Sequence, residues 1–366
     1  MKRKNKQPEL SPRKRLLFSC VAVCLILLAV LAVAEIAVRT LYPQAMNVYE
    51  YDADFLFKFR PYSTIDYTSH EFSQVTTFNS RGFKDYEYDY AAKPSGTFRA
   101  LVLGDSFTVG LEVPLEKTFV KQLEHKLRVQ FPEKKIEVLS VATNGWSTEQ
   151  QLLFLTKEGL SYQPDLVILA YYVGNDQIDN AARGLFAYED GKLLVNTHRP
   201  LAQSRPRAVY YFLSSRFHIF NLIQSAYWKL QEQTGTSSAV DYRSAFTPYL
   251  QKEMSPEIKR AWNKTFTLLN AMRYQLEQRD IPFLLAVIPD RSQETQQSGD
   301  GIVIDQPQRV LNAYGKEAVV PIIDLLPAFQ AHAGEQLHFE KDFHWNEAGH
   351  ELAANELLRP TASFIN

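Results

Sequence analysis

From residue 98 onward, short apolar runs alternate with segments of helical periodicity, and this rhythm restricts the fold more than any other feature of the chain. Residues 98–103 read as a strand. A helix is expected over 115–129, with Phe119, Val120, Leu123 and Leu127 on one face. A strand follows at 136–141, then a helix opened by Ser147. Gln150, three residues on, makes a capping box with Ser147, and Gly159 marks the helix end. Residues 166–171 form the third strand. Strands and helices joined this closely predict a parallel sheet covered on both faces. The rhythm pauses between Gln177 and Ser255. It resumes with a helix begun by Ser255-Pro256, a strand at 283–288, a short helix after Pro307, a strand near 321–324 and a last helix from Asn346.

The first strand runs directly into Gly104-Asp105-Ser106, which delivers a hydroxyl to the carboxyl end of the sheet. Open α/β folds take their ligands there. A serine is a weak nucleophile until a base removes its proton. Near the far end, Asp342-Phe343-His344-Trp345-Asn346 offers an imidazole with a carboxylate two residues before it. That is the base and orienting acid such a serine needs. Two more segments follow expected strands: Thr143-Asn144-Gly145-Trp146-Ser147 and Gly174-Asn175-Asp176. A glycine leaves its backbone N–H open and an asparagine carries a side-chain N–H; both donor types hold a developing oxyanion. A metal reading would use His338, His344, His350 and Asp342. Their six-residue spacing puts the histidines on different faces of any helix, and no His-x-x-x-His pair occurs. Neither a metal nor another cofactor is therefore expected. Asp176 and Arg291 are read as pocket-shaping residues without a catalytic role.

The balance of 40 basic against 41 acidic side chains gives no reason to expect a nucleic-acid partner. The charge is unevenly spread, however. Lys2, Arg3, Lys4, Lys6, Arg13, Lys14 and Arg15 stand against Glu9 alone, directly before a charge-free run over 16–34. As a helix that run reaches about 28 Å, close to the hydrocarbon thickness of a bilayer. The basic flank (1–15) predicts an N-terminus in the cytoplasm and everything after Arg39 outside it. Ala32-Val33-Ala34 also fits a signal-peptide cleavage site, so a removed leader stands beside the preferred reading, an uncleaved anchor over 16–38 in the cytoplasmic membrane. Both cysteines, Cys20 and Cys24, fall inside the run, and the exported part has no disulfide.

Residues 39–97 are dense in Tyr, Phe and Asp, and are expected to form an extracytoplasmic arm packed on the domain that follows. A strand is expected near 74–78 and a turn at Asn79-Ser80-Arg81-Gly82. The domain proper spans 98–366 with an insertion at 177–255. That insertion is read as one aromatic-rich helix over 207–230 and a polar loop over 231–238. Its stripe of Phe212, Phe217, Phe220 and Trp228 is expected to be buried against the domain; a substrate lid and a membrane-surface helix are the other readings.

In chain order, Gly104-Asp105-Ser106, Asn144-Gly145, Gly174-Asn175 and Asp342-x-His344 resemble the SGNH/GDSL hydrolase superfamily over 98 to the C-terminus. Membrane-tethered bacterial members also show an Asn-Ser-x-Gly-Phe element like Asn79 to Phe83. The resemblance implies a three-layer α/β/α, flavodoxin-like domain with a central parallel sheet that cleaves or transfers acyl esters. It implies Ser106 as nucleophile, His344 as base and Asp342 as the base's partner, with oxyanion donors from the Ser106 backbone N–H, Gly145 and Asn175. The chain departs from the pattern at Lys341, where the family commonly has its acid, at Ser140, in place of an asparagine, and at Gly174-Asn175, which lack an intervening residue. A Ser–His dyad helped by a backbone carbonyl is the alternative to Asp342. The expected function is a membrane-anchored extracytoplasmic serine esterase that removes O-acyl groups, acetyl foremost, from a carbohydrate. The second reading is an O-acetyltransferase in polysaccharide modification, since alginate acetylation proteins share an Asp-x-His-Trp element, though there it precedes the serine block. A scaffold with a vestigial site is the third.

Overall fold

The computed structural model describes residues 11–182, 184–196, 201–234, 242–295, 298–299 and 301–365. Lys2, Arg3, Lys4, Lys6 and the end of the expected 231–238 loop lie outside them. The chain forms two compact units: Met1–Asn47 with Tyr210–Ser238, and Val48–Val209 with Ala239–Asn366.

The larger unit is built on five parallel strands, Thr97–Gly104, Lys135–Ala142, Leu166–Tyr172, Phe283–Ile288 and Ile322–Asp324. Across the sheet they lie in the order second, first, third, fourth, fifth. The connections therefore reverse direction between the first and third strands, and this is where such sheets open a crevice at their carboxyl ends. The period-two rule for side chains explains the two cores. Leu101, Leu103, Val167 and Leu169 enter one hydrophobic layer, while Ala100, Val102, Ile168 and Ala170 enter the other.

Helices cover both layers. Thr148–Lys157, Pro256–Glu277 and Gln306–Ala318 contribute Phe154, Leu269 and Leu311 to the first. Phe119–Gln130 and Glu347–Ala362 contribute Leu123, Leu127, Leu352 and Leu357 to the second. The result is the expected three-layer α/β/α arrangement. Local differences have local causes. The helix expected from Leu115 starts as the 3-10 turn Leu115–Lys117 and begins in earnest at Phe119, where the Thr118 side chain caps it by accepting from Lys121 N. Gly159 opens a second 3-10 turn, Gly159–Tyr162, after the helix has ended at Lys157. The helix at Pro307 is longer than expected, running over Gln306–Ala318.

The segment before the first sheet strand folds as two hairpins, Tyr49–Asp52 with Leu56–Phe59 and Thr64–Thr68 with Ser73–Thr77. Gly82 must be glycine: its φ is +82°, and a Cβ there would lie 2.2 Å from the Phe59 carbonyl oxygen. Asp85 fastens this segment to the sheet. Its carboxylate accepts from Ser140 N at 2.6 Å and faces Lys121 Nζ at 2.6 Å. Burial pushes the Asp85 pKa up to about 6 against the pull of Lys121.

In the smaller unit, the helix Pro12–Leu41 is long and apolar enough to cross a membrane, and a signal sequence passes the same test. The single aromatic helix expected over 207–230 is instead two, Leu201–Ser214 and His218–Thr234, broken where Asn221 Nδ2 donates to the Ser214 carbonyl at 2.8 Å. The second helix continues to Thr234, into the stretch expected to be a loop. The aromatic stripe is also not buried as expected: Phe212, Phe217 and Trp228 are exposed and Phe220 is half-buried. The insertion holds one further hairpin, Phe186–Glu189 with Lys192–Val195.

Candidate active site

The serine side of the site is made within a few residues. The strand Thr97–Gly104 passes through Asp105 into the four-residue helix Ser106–Val109. The Asp105 carboxylate accepts from Phe107 N at 3.0 Å and so caps that turn. Gly104 has no room for a side chain, since a Cβ there would lie 2.0 Å from Thr108 Oγ1. Burial pushes Asp105 up to about 6 although Phe107 N–H, His344 and Asn175 all favour its ionised form.

The histidine side arrives from the other end of the chain. Asn346 caps the last helix by accepting from Ala348 N at 2.9 Å and Gly349 N at 3.2 Å. His344 stands two residues before it. His344 Nε2 lies 2.8 Å from Ser106 Oγ, and Nδ1 lies 2.7 Å from Asp342 Oδ1. The His344 backbone N–H donates to the same Asp342 oxygen at 2.9 Å. The two-residue spacing thus closes a ring in which Asp342 holds both ends of the histidine.

A second carboxylate reaches the same nitrogen. Glu112 Oε1 is 3.3 Å from His344 Nδ1, and Glu112 is 1 % exposed. With two carboxylates facing Nδ1, the ring proton belongs there, and Nε2 is left to accept from the serine hydroxyl. Burial alone would lower the His344 pKa, but Glu112 and Asp342 outweigh it and hold it above the usual value. Asp342 is held below its usual range because its contacts with His344 outweigh its burial. Sequence reasoning missed Glu112. Its one signal is an acid among apolar residues, Leu111-Glu112-Val113, six residues after Ser106.

The histidine loop is gripped from outside by the second hairpin. Glu71, in the turn between Thr64–Thr68 and Ser73–Thr77, accepts from the backbone N–H groups of Glu340, Lys341 (3.0 Å) and Asp342 (3.0 Å). Those three bonds hold the Glu71 carboxyl below its ordinary pKa against the opposing effect of desolvation. Phe72 packs edge-on against Phe339, with ring centroids 5.0 Å apart. Arg291 holds the other side, donating to the carbonyls of Phe339 at 2.9 Å and Glu340 at 3.0 Å. These bonds brace the backbone of the loop. Asp176 likewise braces the backbone, accepting from Tyr172 N at 2.8 Å.

Gly145 and Asn175 line the same cleft as Ser106 and His344, a cavity of about 780 Å³. Gly145 sits at φ +74°, a left-handed turn that glycine takes without strain. Asn175 lies beside the Asp105 carboxyl and favours its ionised form. Tyr172, Phe246 and Phe343 give the cleft aromatic walls. Tyr172 is fixed there by donating its hydroxyl to Asp290 at 2.7 Å.

The three histidines considered as metal ligands do different things. His350 is buried and accepts from Phe119 N at 3.2 Å, and burial drives its pKa down to about 3. His338 is buried beside Glu294, its Nε2 3.4 Å from the carboxylate, and is pushed down to about 4. Among the described residues, Glu112, Asp342 and His344 have ligand-type atoms within 4.8 Å of one another. There Nδ1 already donates to a carboxylate, so the set is arranged as a hydrogen-bonded acid–base group.

The GDSL-like lipase/acylhydrolase family model matches residues 102–352, more than two thirds of the chain. Comparison with curated proteins finds no match. Among solved structures, the acetyl xylan esterase AlAXEase is similar at 14 % identity and TM-score 0.43, over 72 % of this chain and 99 % of that one. Axe2, an acetylxylan esterase from Geobacillus stearothermophilus, is similar at 15 % identity and TM-score 0.41, over 72 % and 93 %. A putative lipolytic protein of the G-D-S-L family from Desulfitobacterium hafniense DCB-2 is similar at 14 % identity and TM-score 0.37, over 71 % and 98 %. With the family model spanning the serine strand through the last helix, the chain belongs to the GDSL-like lipase/acylhydrolase family, enzymes that hydrolyse ester bonds.

Proposed function

We propose that the protein is a serine esterase that removes O-acyl groups, acetyl foremost, from a carbohydrate. The observation that carries this reading is the chain of contacts from Ser106 Oγ to His344 Nε2 at 2.8 Å and from His344 Nδ1 to Asp342 Oδ1 at 2.7 Å. His344 takes the Ser106 proton as Oγ attacks the ester carbonyl. Asp342 stabilises the imidazolium so formed. The backbone N–H groups of Ser106 and Gly145 and the Asn175 amide hold the oxyanion. His344 then returns its proton to the departing sugar oxygen, and water releases the acyl group from Ser106 by the reverse steps. The aromatic walls at Phe246 and Phe343 suit the apolar faces of sugar rings. The basic flank and apolar run support an uncleaved anchor over 16–38, an arm over 39–97 and a catalytic domain over 98–366 outside the cytoplasm.

Treating the full-length protein with a fluorophosphonate probe tests the core of this. Label on the Ser106 peptide, none on Ser106→Ala, and at least about a thousandfold loss of aryl-ester turnover in that variant are expected. Unlabelled wild-type protein would overturn the assignment. Release of free acetate from a panel of acetylated glycans, rather than transfer to an added glycan, identifies water as the acceptor.

A further inference from the structure

In the smaller unit, an apolar surface stands next to the helix that can cross a membrane. Phe212, Ile223, Tyr227, Trp228 and Leu230 are each at least half exposed. On the helix His218–Thr234, Ile223, Tyr227 and Leu230 fall within an arc of about 60°, with Ser225 and Lys229 on the far side. Such a one-sided helix with aromatic residues is built for the boundary between headgroups and acyl chains.

The attachment of this helix fixes where it stands along Pro12–Leu41. Glu35, the first charge after the 16–34 run, accepts from His218 N at 3.0 Å and Ile219 N at 3.0 Å. Arg39 donates to the Arg216 carbonyl at 3.0 Å, and Gln44 N donates to His218 Nδ1 at 2.8 Å. The second helix therefore begins at the level where the apolar run stops. Residues 12–33 of the first helix are exposed, as are residues 225–230 of the second. With residues 12–33 exposed, the second helix does not pack back along the apolar run of the first.

We propose that Tyr210–Thr234 is an interfacial element that rests its apolar face on the lipid surface into which the Pro12–Leu41 helix inserts. This rests on the anchor reading given above. The occupant of the face is lipid because the helix that carries it starts at Glu35, where the apolar run stops, and Tyr227 stands on that face.

Trp228 lies about 100° round the helix from Tyr227, so Tyr227→Trp in a Trp228→Phe background places the reporter on the face, the remaining Trp146, Trp262 and Trp345 being at most 2 % exposed. The full chain is reconstituted in phosphatidylcholine–phosphatidylglycerol vesicles, with and without acyl chains brominated near the headgroup, and floated on a density gradient. Floating protein of this double variant should lose tryptophan emission in the brominated vesicles, and Trp228→Phe alone should not. Floating protein with equal emission in both vesicles overturns the proposal while sparing the anchor; a second copy of the chain covering the face gives this result. Protein that stays at the bottom of the gradient removes the anchor and the proposal together.

Discussion

The two sides of the cleft are held in opposite ways. Ser106 is placed by its own neighbours: a buried strand before it, a cap from Asp105 and a space-limited Gly104. His344 sits on a loop whose shape depends on residues far away in the chain. Glu71 holds its backbone, Arg291 braces its carbonyls, and Glu112 shares its imidazole. A nucleophile must be presented at one fixed point, and the end of a packed strand does that. A base must swing between two oxygens, and a loop restrained from several sides permits that motion within limits.

Variants at three positions sharpen or break this contrast. Asn175→Ala, on the rigid side, removes one proposed oxyanion donor and should lower kcat by about a hundredfold to a thousandfold with KM little changed. Steady-state kinetics on an aryl acetate measures it, and an unchanged kcat would strike Asn175 from the oxyanion site. Glu71→Ala, on the restrained loop, should lower kcat by about tenfold to a hundredfold, because a small misplacement of the base is enough for such a loss. Glu71→Gln keeps an acceptor oxygen and should recover part of it. If both variants keep full activity, the loop holds its shape without the hairpin and the contrast fails.

The smallest effect is a displacement on the pH axis. The His344 pKa is held above its usual value by two carboxylates, so activity should rise with pH through a pKa above about 6.5. The same shift acts on stability with the opposite sign. It contributes fully below about 6.5, where the unfolded histidine is also protonated, and is lost as pH rises through the folded value. Glu112→Gln takes away one of the two charges and should move the acid limb of kcat/KM to lower pH, with a loss of only a few-fold at the plateau. An acid limb that stays in place would mean that Glu112 is neutral and that Asp342 acts alone.

Much of the serine side was legible in the sequence for the reason that it is rigid: its causes are local. The strand at Phe283–Ile288 is found where the apolar run predicts it, and so is the Asn346 cap. Ser106 and His344, though distant in sequence, could be paired because each closes a strand or opens a helix on the same rim. Glu71 and Glu112 could not be found this way. Glu71 meets the histidine loop across 271 positions, and no short pattern records a contact of that kind. The aromatic helix failed differently. An aromatic stripe says only that a face is apolar, not what covers it. The break at 215–217 carries no glycine or proline to announce it; a side-chain bond from Asn221 to the Ser214 carbonyl, seven residues back, closes it.

The 238 positions between Ser106 and His344 also have a consequence for how the protein is made. Synthesis delivers the alcohol and its strand long before the imidazole, whose loop leads into the helix Glu347–Ala362 packed beside Phe119–Gln130. On the proposed mechanism a nascent chain holding most of the sheet is chemically silent. Ester cleavage then reports the arrival of the last helix, which makes it a sensitive clock for the final step of folding.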